Sequence, residues 1–437
     1  MIFFIIYYNY YTGNYVTDTN KTASCQDDYD PNSLDVTLAK EKIRQMLSTV
    51  TETETVTIRE ALYRTLAEDV LSSINVPAYT NSAMDGYAIS SDDLVNTKTF
   101  SIAGTAFAGK PYTGSILPGQ CIRIMTGAPI CAGIDTVIMQ EHVDIFDKQI
   151  TLSDAYSSIH KAGQNIREKG EDLKQGSPAI KAGRRLSASD VGLLASLGIS
   201  EVKIKRKLRI AILSTGDELR DLGEPLNEGQ IYDSNRYTIY SMLNRPGIDI
   251  IDYGIVKDDP HLIRSAFQTA SESADIIITS GGVSVGDADY VKQTLEELGT
   301  VNFWKIAMKP GRPLAVGKIK NAYFFGLPGN PVSAMVTFYQ FLQPAIRQIM
   351  GQEQIENPSI QMKCISSLKK RPGRVEFQRG KIMTDENGLK VVKSTGNQGS
   401  HVLSSMSEAN CFIILPMETG NVEADSLVEV QPFDGLI

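Results

Sequence analysis

Cysteine and histidine are scarce in this sequence. Its 437 residues include 5 cysteines and 4 histidines, with no C-x-x-C pair and no H-E-x-x-H motif. Neither a structural zinc site nor a zinc hydrolase is therefore expected. The odd number of widely separated cysteines also argues against a disulfide framework and favours the reduced thiols of a cytoplasmic protein.

Long apolar runs and an excess of positive charge are missing as well. No run approaches the ~18–20 residues that cross a bilayer, so an integral membrane protein is excluded. The 43 basic and 51 acidic residues give a net charge of −8, which argues against nucleic acid as a partner. With 42% hydrophobic and 22% charged residues, the composition is that of a soluble, folded chain, and its length predicts roughly three domains.

Three motifs that would indicate an enzyme class are also absent. The sequence has no Walker A motif, no G-x-G-x-x-G after a predicted strand and no G-x-S-x-G elbow. An ATPase, a nicotinamide-dependent dehydrogenase and a serine hydrolase therefore lose their main support.

The first 33 residues have the character of an extension. They begin with MIFFIIYYNYY, but the first basic residue is Lys21 and the aliphatic run stops at Ile6, which is a poor match to a signal peptide. A polar run follows. We expect a disordered N-terminal extension over 1–33, and a targeting segment is the alternative.

The hydrophobic pattern changes several times along the chain. Apolar residues at three- and four-residue spacings predict helix over 36–71 and again over 186–199. Between them, short β-like runs among Gly, Pro and Asn turns predict a β-rich insert over 72–172. We predict that residues 34–71 and 173–206 form one discontinuous domain around this insert.

The second half predicts a multidomain α/β protein. Residues 207–357 alternate buried strands with helices, which predicts βαβ units and a parallel sheet covered on both faces. Residues 358–437 return to short β segments separated by turns and predict a small β-barrel or sandwich.

Unusual loops follow the first three strands of the predicted parallel sheet. They are TGDE at 215–218, KDDP at 257–260 and SGGVSVGDADY at 280–290. Ligands bind beyond the carboxyl ends of such strands, glycines let the backbone approach a phosphate, and neighbouring carboxylates suit Mg²⁺. Turns and helix caps are the alternative for any one loop. The third loop supplies four candidate substrate contacts: Ser280, Gly281, Gly282 and Ser284.

Two later segments could bind an anion. Lys305 and Lys309, in WKIAMKPGRP, could neutralise a phosphate or another oxyanion, although Lys305 alone could be an ordinary solvated side chain. Asn330 and Ser333 open the next predicted helix, whose first N–H groups could bind an anion. An ordinary helix cap is the alternative there.

Six motifs occur in one order along the chain: NSAMDGYA, RIMTGAP, STGDEL, ITSGGVSVGDADY, AMKPGRP and GLPGNPVSA. This set resembles the MoeA family of molybdopterin molybdenumtransferases, from about residue 36 to the end. The resemblance implies a discontinuous elongated domain, a β-rich insert, a central three-layer α/β domain and a C-terminal β-barrel. It also implies a cytoplasmic homodimer with its active site near the subunit interface.

The resemblance implies a reaction and a set of residues for it. Molybdate would be inserted into adenylylated molybdopterin, with Mg²⁺-dependent cleavage of the pyrophosphate and release of AMP and molybdenum cofactor. Glu218, Asp258 and Asp289 match the carboxylates implicated in metal and phosphate handling. Lys305 and Lys309 match lysines beside the pterin phosphate and the oxyanion.

Further positions are carried over from the same resemblance. Ser333, Arg379 and Ser400 match residues that line the oxyanion region. The sequence departs from the family at Cys131, where proline is usual, and at Arg312, where lysine is common. The first change is expected to be neutral, whereas the second keeps a cation but alters its geometry.

The insert carries the remaining implied residues. Asp85 and Thr126 match residues that reach the cleft from the partner subunit, and Asp172 matches another functional carboxylate. The implied partners are a second copy of the chain and, transiently, molybdopterin adenylyltransferase and proteins that accept the cofactor.

Two other functions share the central domain. A molybdopterin adenylyltransferase would consist of that domain almost alone, and the long flanking regions argue against it. A gephyrin-like binding or scaffold protein is the alternative from a different functional class. Neither a fused adenylyltransferase domain nor a long linker is found here to support it.

Overall fold

The computed structural model of the protein describes residues 30, 32–153, 161–281, 290–353 and 356–433. Contacts divide the chain into two units, Met1–Thr51 with Arg206–Ile437, and Glu52–Lys205. None of the helices in the described ranges is long and apolar enough to cross a bilayer. Most of the predicted N-terminal extension, namely residues 1–29 and 31, lies outside the described residues.

The larger unit contains a six-stranded sheet. The first four strands in sheet order are parallel, the fifth is antiparallel to the fourth, and the sixth is antiparallel to the fifth. The order is Ile248–Val256, Leu208–Thr215, Ile276–Ser280, Ala322–Leu327, Pro313–Ile319 and Gly299–Lys305. A helix follows each of the first three strands in sequence: Ser234–Leu243, Pro260–Ser273 and Tyr290–Leu298.

The strand Leu208–Thr215 is buried on both faces of this sheet. Ile210 and Ile212 belong to one apolar cluster, whereas Ala211 and Leu213 belong to another. This alternation follows the two-residue period of a strand, and burial on both faces is typical of a parallel sheet between helices. The predicted three-layer α/β domain with a mostly parallel sheet is confirmed.

Two helical regions pack into the same unit. Asp35 caps the helix Val36–Met46 by accepting hydrogen bonds from the backbone N–H groups of Thr37 and Leu38, at 2.8 and 3.1 Å. Ala39 and Ile43 on this helix are buried in one of the two clusters. The second region runs through three consecutive segments: Pro331–Thr337, the π-helical turn Phe338–Leu342 and Gln343–Ile349.

The C-terminal strands close into a five-stranded barrel. Its strands are, in order, Val375–Thr384, Lys390–Ser394, Ile360–Cys364, Ser426–Pro432 and Cys411–Leu415. Closure comes from the last strand, which pairs back onto the first one. Met308–Lys309 adds a short parallel strand at one side, and Leu403–Glu408 is a short helix. The predicted C-terminal β-barrel is confirmed, and the sandwich alternative is wrong.

The smaller unit contains the β-rich insert. A six-stranded sheet has apolar clusters on both sides of it. Its order is Thr136–Met139, Gly86–Ile89, Gln120–Ile124, Thr99–Ala106, Gln149–Leu152 and Val143–Phe146. Two short 3₁₀ helices, Ser91–Val95 and Gln140–His142, connect its strands.

The segments before and after the insert pack together. Thr53–Thr57 pairs with Glu201–Lys205, and Val70–Leu71 pairs with Pro178–Ile180. A capping box of Ser187 and Asp190 starts the helix Ala188–Ser196. The remaining short strands in the two units are Asn81–Ser82 with Ile166–Arg167, and Leu219–Arg220 with Ile231–Tyr232.

The helix predicted over 36–71 is wrong in its second part. It ends at Met46, and a strand follows at Thr53–Thr57. The reason lies in the sequence TETETVT at 51–57, where β-branched residues alternate with charged ones at a period of two. The predicted domain boundaries themselves stay predictions.

Candidate functional site

Three loops converge at the carboxyl ends of the parallel strands. A Cβ added to Gly281 would lie 2.8 Å from the carbonyl oxygen of Thr215, and one added to Gly329 would lie 4.0 Å from the Cα of Gly281. Gly281 also has a φ of +90°, a backbone conformation that residues other than glycine rarely adopt. The convergence expected from a parallel sheet is therefore present, and glycine makes it possible.

Asn235 ties two of these loops together. Its amide nitrogen donates to the Ser280 hydroxyl and to the Gly329 carbonyl oxygen, both at 2.7 Å. Because a carbonyl can only accept, this contact fixes which end of the amide is nitrogen. Asn235 was not predicted from the sequence, and its only local signal is its position in the first turn of the helix Ser234–Leu243.

Several buried polar atoms at these strand ends lack a partner within the described residues. The amide oxygen of Asn235 and the hydroxyl of Thr215 are two of them, and the hydroxyls of Ser214 and Thr279 are the others. Buried polar groups are normally hydrogen-bonded, so a group of exceptions at one edge of the sheet calls for a ligand or water. Thr215 was likewise missed as a single residue, although its loop was predicted.

Acidic side chains gather beside the same edge. The backbone N–H of Asp258 donates to the carboxylate of Asp217 at 3.3 Å. Burial raises the pKa of Asp258, and the charges of Asp217 and Glu218 raise it further. These carboxylates hinder one another's ionisation, which a bound cation would relieve.

The third predicted metal ligand, Asp289, lies outside the described residues, as do Gly282 and Ser284. Within the part of the chain that is described, no group of three or more His, Cys, Asp or Glu residues could hold a metal ion. The charges of Asp217 and Glu218 act on Asp258, so these three carboxylates lie near one another without forming such a group, and Asp217 had not been singled out by the sequence. The metal assignment stays a prediction.

The predicted lysines lie near other charges. Lys309 forms an ion pair of 3.2 Å with Glu376, whose side chain is only 4% exposed. The side chain of Lys305 is exposed and forms no hydrogen bond or ion pair in the described part of the chain, but its charge helps to lower the pKa of Asp30. Arg312 pairs with that same Asp30.

Arg379 is fully buried and lacks a carboxylate partner among the described residues. Its guanidinium donates to the Ser405 hydroxyl at 2.8 Å and to the carbonyl oxygens of Asn397 and Gly399 at 2.7 and 3.1 Å. One terminal nitrogen has no partner there. Burial lowers the pKa of Arg379 to about 10. A buried cation with an unused donor is suited to an anion.

Ser400 lies beside the start of the helix Pro331–Thr337, which contains Ser333. The backbone N–H of Val332 donates to the carbonyl oxygen of Ser400 at 3.2 Å, and Ser333 follows Val332 in the chain. Ser333 is 4% exposed, whereas Asn330 is exposed and its side chain makes no capping bond. The structure therefore brings Ser400 close to the helix N-terminus that contains Asn330 and Ser333.

In the smaller unit, two of the three predicted residues are in contact. Asp85 accepts hydrogen bonds from the backbone N–H and the hydroxyl of Thr126. Both bonds lower the pKa of the Asp85 carboxyl, with the backbone bond having the larger effect. Asp172 is exposed and donates its backbone N–H to the Val76 carbonyl at 3.0 Å, without a hydrogen bond to Asp85 or Thr126 in the described residues.

Comparison with known proteins identifies the domain that carries the strand-end site. Residues 211–348 match the family described as a probable molybdopterin binding domain. The site thus lies in a molybdopterin-binding α/β domain. On either side, residues 34–198 match the MoeA N-terminal region (domain I and II), and residues 361–433 match the MoeA C-terminal region (domain IV). The chain belongs to the MoeA family.

Individual relatives agree with this assignment. The chain is 48% identical to molybdopterin molybdenumtransferase of Haemophilus influenzae over 401 residues. These residues make up 91% of this chain and 98% of the relative. It is 34% identical to gephyrin of Dictyostelium discoideum, over 86% of this chain and 59% of gephyrin. The crystal structure of the molybdopterin biosynthesis moeA protein from Pyrococcus horikoshii OT3 is 26% identical, with a TM-score of 0.78 and coverage of 92% and 100%.

Proposed function

We propose that this protein is a molybdopterin molybdenumtransferase. It inserts molybdate into adenylylated molybdopterin and releases AMP and molybdenum cofactor. The observation that carries this proposal is the 48% identity to a molybdopterin molybdenumtransferase across nearly the whole of both chains. The strand-end geometry supports it, because loops that admit a phosphate adjoin a group of carboxylates.

Mg²⁺ is the metal we propose for this reaction. Glu218 and Asp258 would hold it, with Asp289 as the third proposed ligand. When bound, Mg²⁺ stabilises the negative charge that develops on the phosphates during cleavage. The raised pKa of Asp258 supports a cation there, since a nearby positive charge would favour the ionised carboxyl.

Cationic side chains of the chain collect the oxyanion in this proposal. Molybdate is a dianion that must approach a substrate already rich in negative charge, so Lys305, Lys309 and Arg379 would attract and orient it. Ser280, Gly281, Gly282 and Ser284 would line the part of the site that binds the substrate phosphates. Asn330, Ser333 and Ser400 would line the oxyanion region.

We also propose a cytoplasmic homodimer in which Asp85 and Thr126 of one protomer serve the site of the other, with Asp172 as a further functional carboxylate. Subunit mixing tests this arrangement. If each site uses both protomers, mixed dimers of Asp85→Asn with Asp258→Asn contain one intact site, and a 1:1 mixture recovers about a quarter of the wild-type activity by random pairing. No recovery from mixed dimers would show that each site is built by one chain.

The proposed activity is tested by mixing the purified protein with adenylylated molybdopterin, molybdate and Mg²⁺ and measuring AMP. Release should require all three components and stop with a chelator. Asp249→Asn is the matched control for Asp258→Asn. It removes one exposed carboxylate, which pairs with Lys207 at 3.1 Å near the start of the strand Ile248–Val256. Folded wild-type protein that releases no AMP would favour a gephyrin-like binding protein.

The adenylyltransferase alternative gives the opposite chemical result. It would attach an AMP group to molybdopterin rather than release it, and the assay can be run in that direction. The MoeA regions on both sides of the central domain do not agree with this alternative. Transient contacts with an adenylyltransferase and with proteins that accept the cofactor are part of the proposal.

A further inference from the structure

Three cations mark the place where the sequence predicts an oxyanion site: Lys305, Lys309 and Arg312. We refer to them as the cation rim. Lys309 pairs with Glu376, and Arg312 pairs with Asp30. Two of the three cations are therefore already matched by carboxylates before any anion binds.

Asp30 is held at the rim by its neighbours in the chain. It accepts a hydrogen bond from the backbone N–H of Asn32 at 2.9 Å. Two backbone hydrogen bonds then fix Leu34, which donates to the carbonyl oxygen of Lys305 at 2.7 Å and accepts from Ala307 at 2.8 Å. This parallel bridge keeps the segment beside the last residue of the strand Gly299–Lys305.

The electrostatic surroundings of Asp30 connect it to two members of the rim. The Asn32 N–H, Arg312 and Lys305 all lower the pKa of Asp30, so it is a carboxylate at neutral pH. Arg312 also donates to the Ser33 hydroxyl at 3.3 Å, and its Nε is buried without a partner in the described residues. One terminal nitrogen of Arg312 thus donates both to Asp30 and to Ser33, in the segment that precedes the first helix.

We propose that Asp30 is a specificity-determining residue that competes with the oxyanion for Arg312 and so weakens oxyanion binding at the cation rim. This inference rests on the proposed function, because it concerns the oxyanion of that reaction. Arg312 presents a planar fork of donors that can bind a carboxylate or a tetrahedral oxyanion, but the same donors cannot serve both. An oxyanion bound by the terminal nitrogen that now pairs with Asp30 would have to displace that carboxylate.

The experiment measures the affinity of the full-length protein for molybdate alone by calorimetry. Asp30→Asn keeps the size of the side chain and removes its charge. We expect about threefold to tenfold tighter binding, the scale of one partly exposed charge interaction. The gain should shrink as the salt concentration rises, which a merely structural role would not produce.

A double-mutant cycle tests whether Arg312 is the target of the competition. In an Arg312→Gln background, Asp30→Asn should lose most of its effect, because the contested side chain is gone. Asp249→Asn, which removes an equal charge elsewhere in the same unit, should leave the affinity unchanged. The melting temperatures of all variants are compared, and equal values exclude an effect through folding.

The outcomes separate this inference from the proposed function. Unchanged or weaker molybdate binding by Asp30→Asn would overturn the competition, and so would an equal gain in both backgrounds, while AMP release by the wild type would leave the proposed function intact. If the wild type neither binds molybdate nor releases AMP, the proposed function fails and this inference fails with it.

Discussion

Thr126 holds one carboxylate oxygen of Asp85 with two hydrogen bonds, from its backbone N–H at 2.7 Å and from its hydroxyl at 2.8 Å. The two residues are 41 positions apart and lie on different turns of the β-rich insert. This contact fixes an exposed carboxylate in one orientation and keeps it ionised, since both bonds favour its charged form.

Thr126→Val is expected to remove the hydroxyl bond and to keep the backbone bond. The hydroxyl bond helps to orient the exposed carboxylate of Asp85, so turnover should fall roughly tenfold. Thr126→Ser, which keeps the hydroxyl, is the control and should retain most activity. Equal AMP release by the valine and serine variants would contradict a role for this contact.

Asn235→Asp is expected to weaken molybdopterin binding about tenfold or more. The substitution keeps the size of the side chain but removes both donors and places a carboxylate against the Gly329 carbonyl, so two loops lose their common tie. Asn244→Asp, at the other end of the same helix, is the matched control. Binding is measured by titration with molybdopterin, and equal affinities of the two variants would remove Asn235 from the site.

Local patterns predicted much of the fold in the α/β domain. The alternation of strands and helices predicted over 207–357 is found in the structure, for example in the helix Ser234–Leu243 and the strand Ile248–Val256 that follows it, because capping residues and apolar periodicity act within a few residues. Residues 51–57 show where such prediction fails. The apolar spacing predicted a helix, whereas the alternation of β-branched residues favours the strand that the structure contains.

The site was predicted less completely than the fold. The loops at the strand ends could be found, because the direction of parallel strands places them at one edge. Asn235 could not, because its partners Ser280 and Gly329 are 45 and 94 positions away in sequence. The pairing of Asp30 with Arg312 spans 282 positions, and no local pattern indicates such a contact.

Molybdate is expected to raise the melting temperature of the wild type through Arg379. A ligand at about 100 times its Kd stabilises the folded state by about 2.7 kcal/mol, and an anion would match the unpaired donor of this buried guanidinium. Arg379→Gln should lose the shift. Scanning calorimetry with and without molybdate measures it, and an undiminished shift in the variant would place the oxyanion elsewhere.

Asp258→Asn is expected to stabilise the apo protein at pH 7 while abolishing Mg²⁺-dependent AMP release. Burial and the charges of Asp217 and Glu218 raise the folded-state pKa of Asp258 above its ordinary value of 3.8. The folded state therefore binds this proton more tightly than the unfolded state does. The ionised carboxyl costs stability at pH values above both pKa values, and the cost disappears as the pH falls towards 3.8.

The asparagine variant removes that charge, so its melting temperature should exceed that of the wild type at pH 7 and approach it as the pH is lowered. Mg²⁺ should reverse the order, because it stabilises the wild type by binding and has lost a ligand in the variant. Asp217→Asn is the matched comparison: it lowers the pKa of Asp258, so the acidic limb of kcat/KM should move to lower pH. A lower melting temperature of apo Asp258→Asn at pH 7 would show that the carboxylate stabilises the fold and is not held at a cost for a cation.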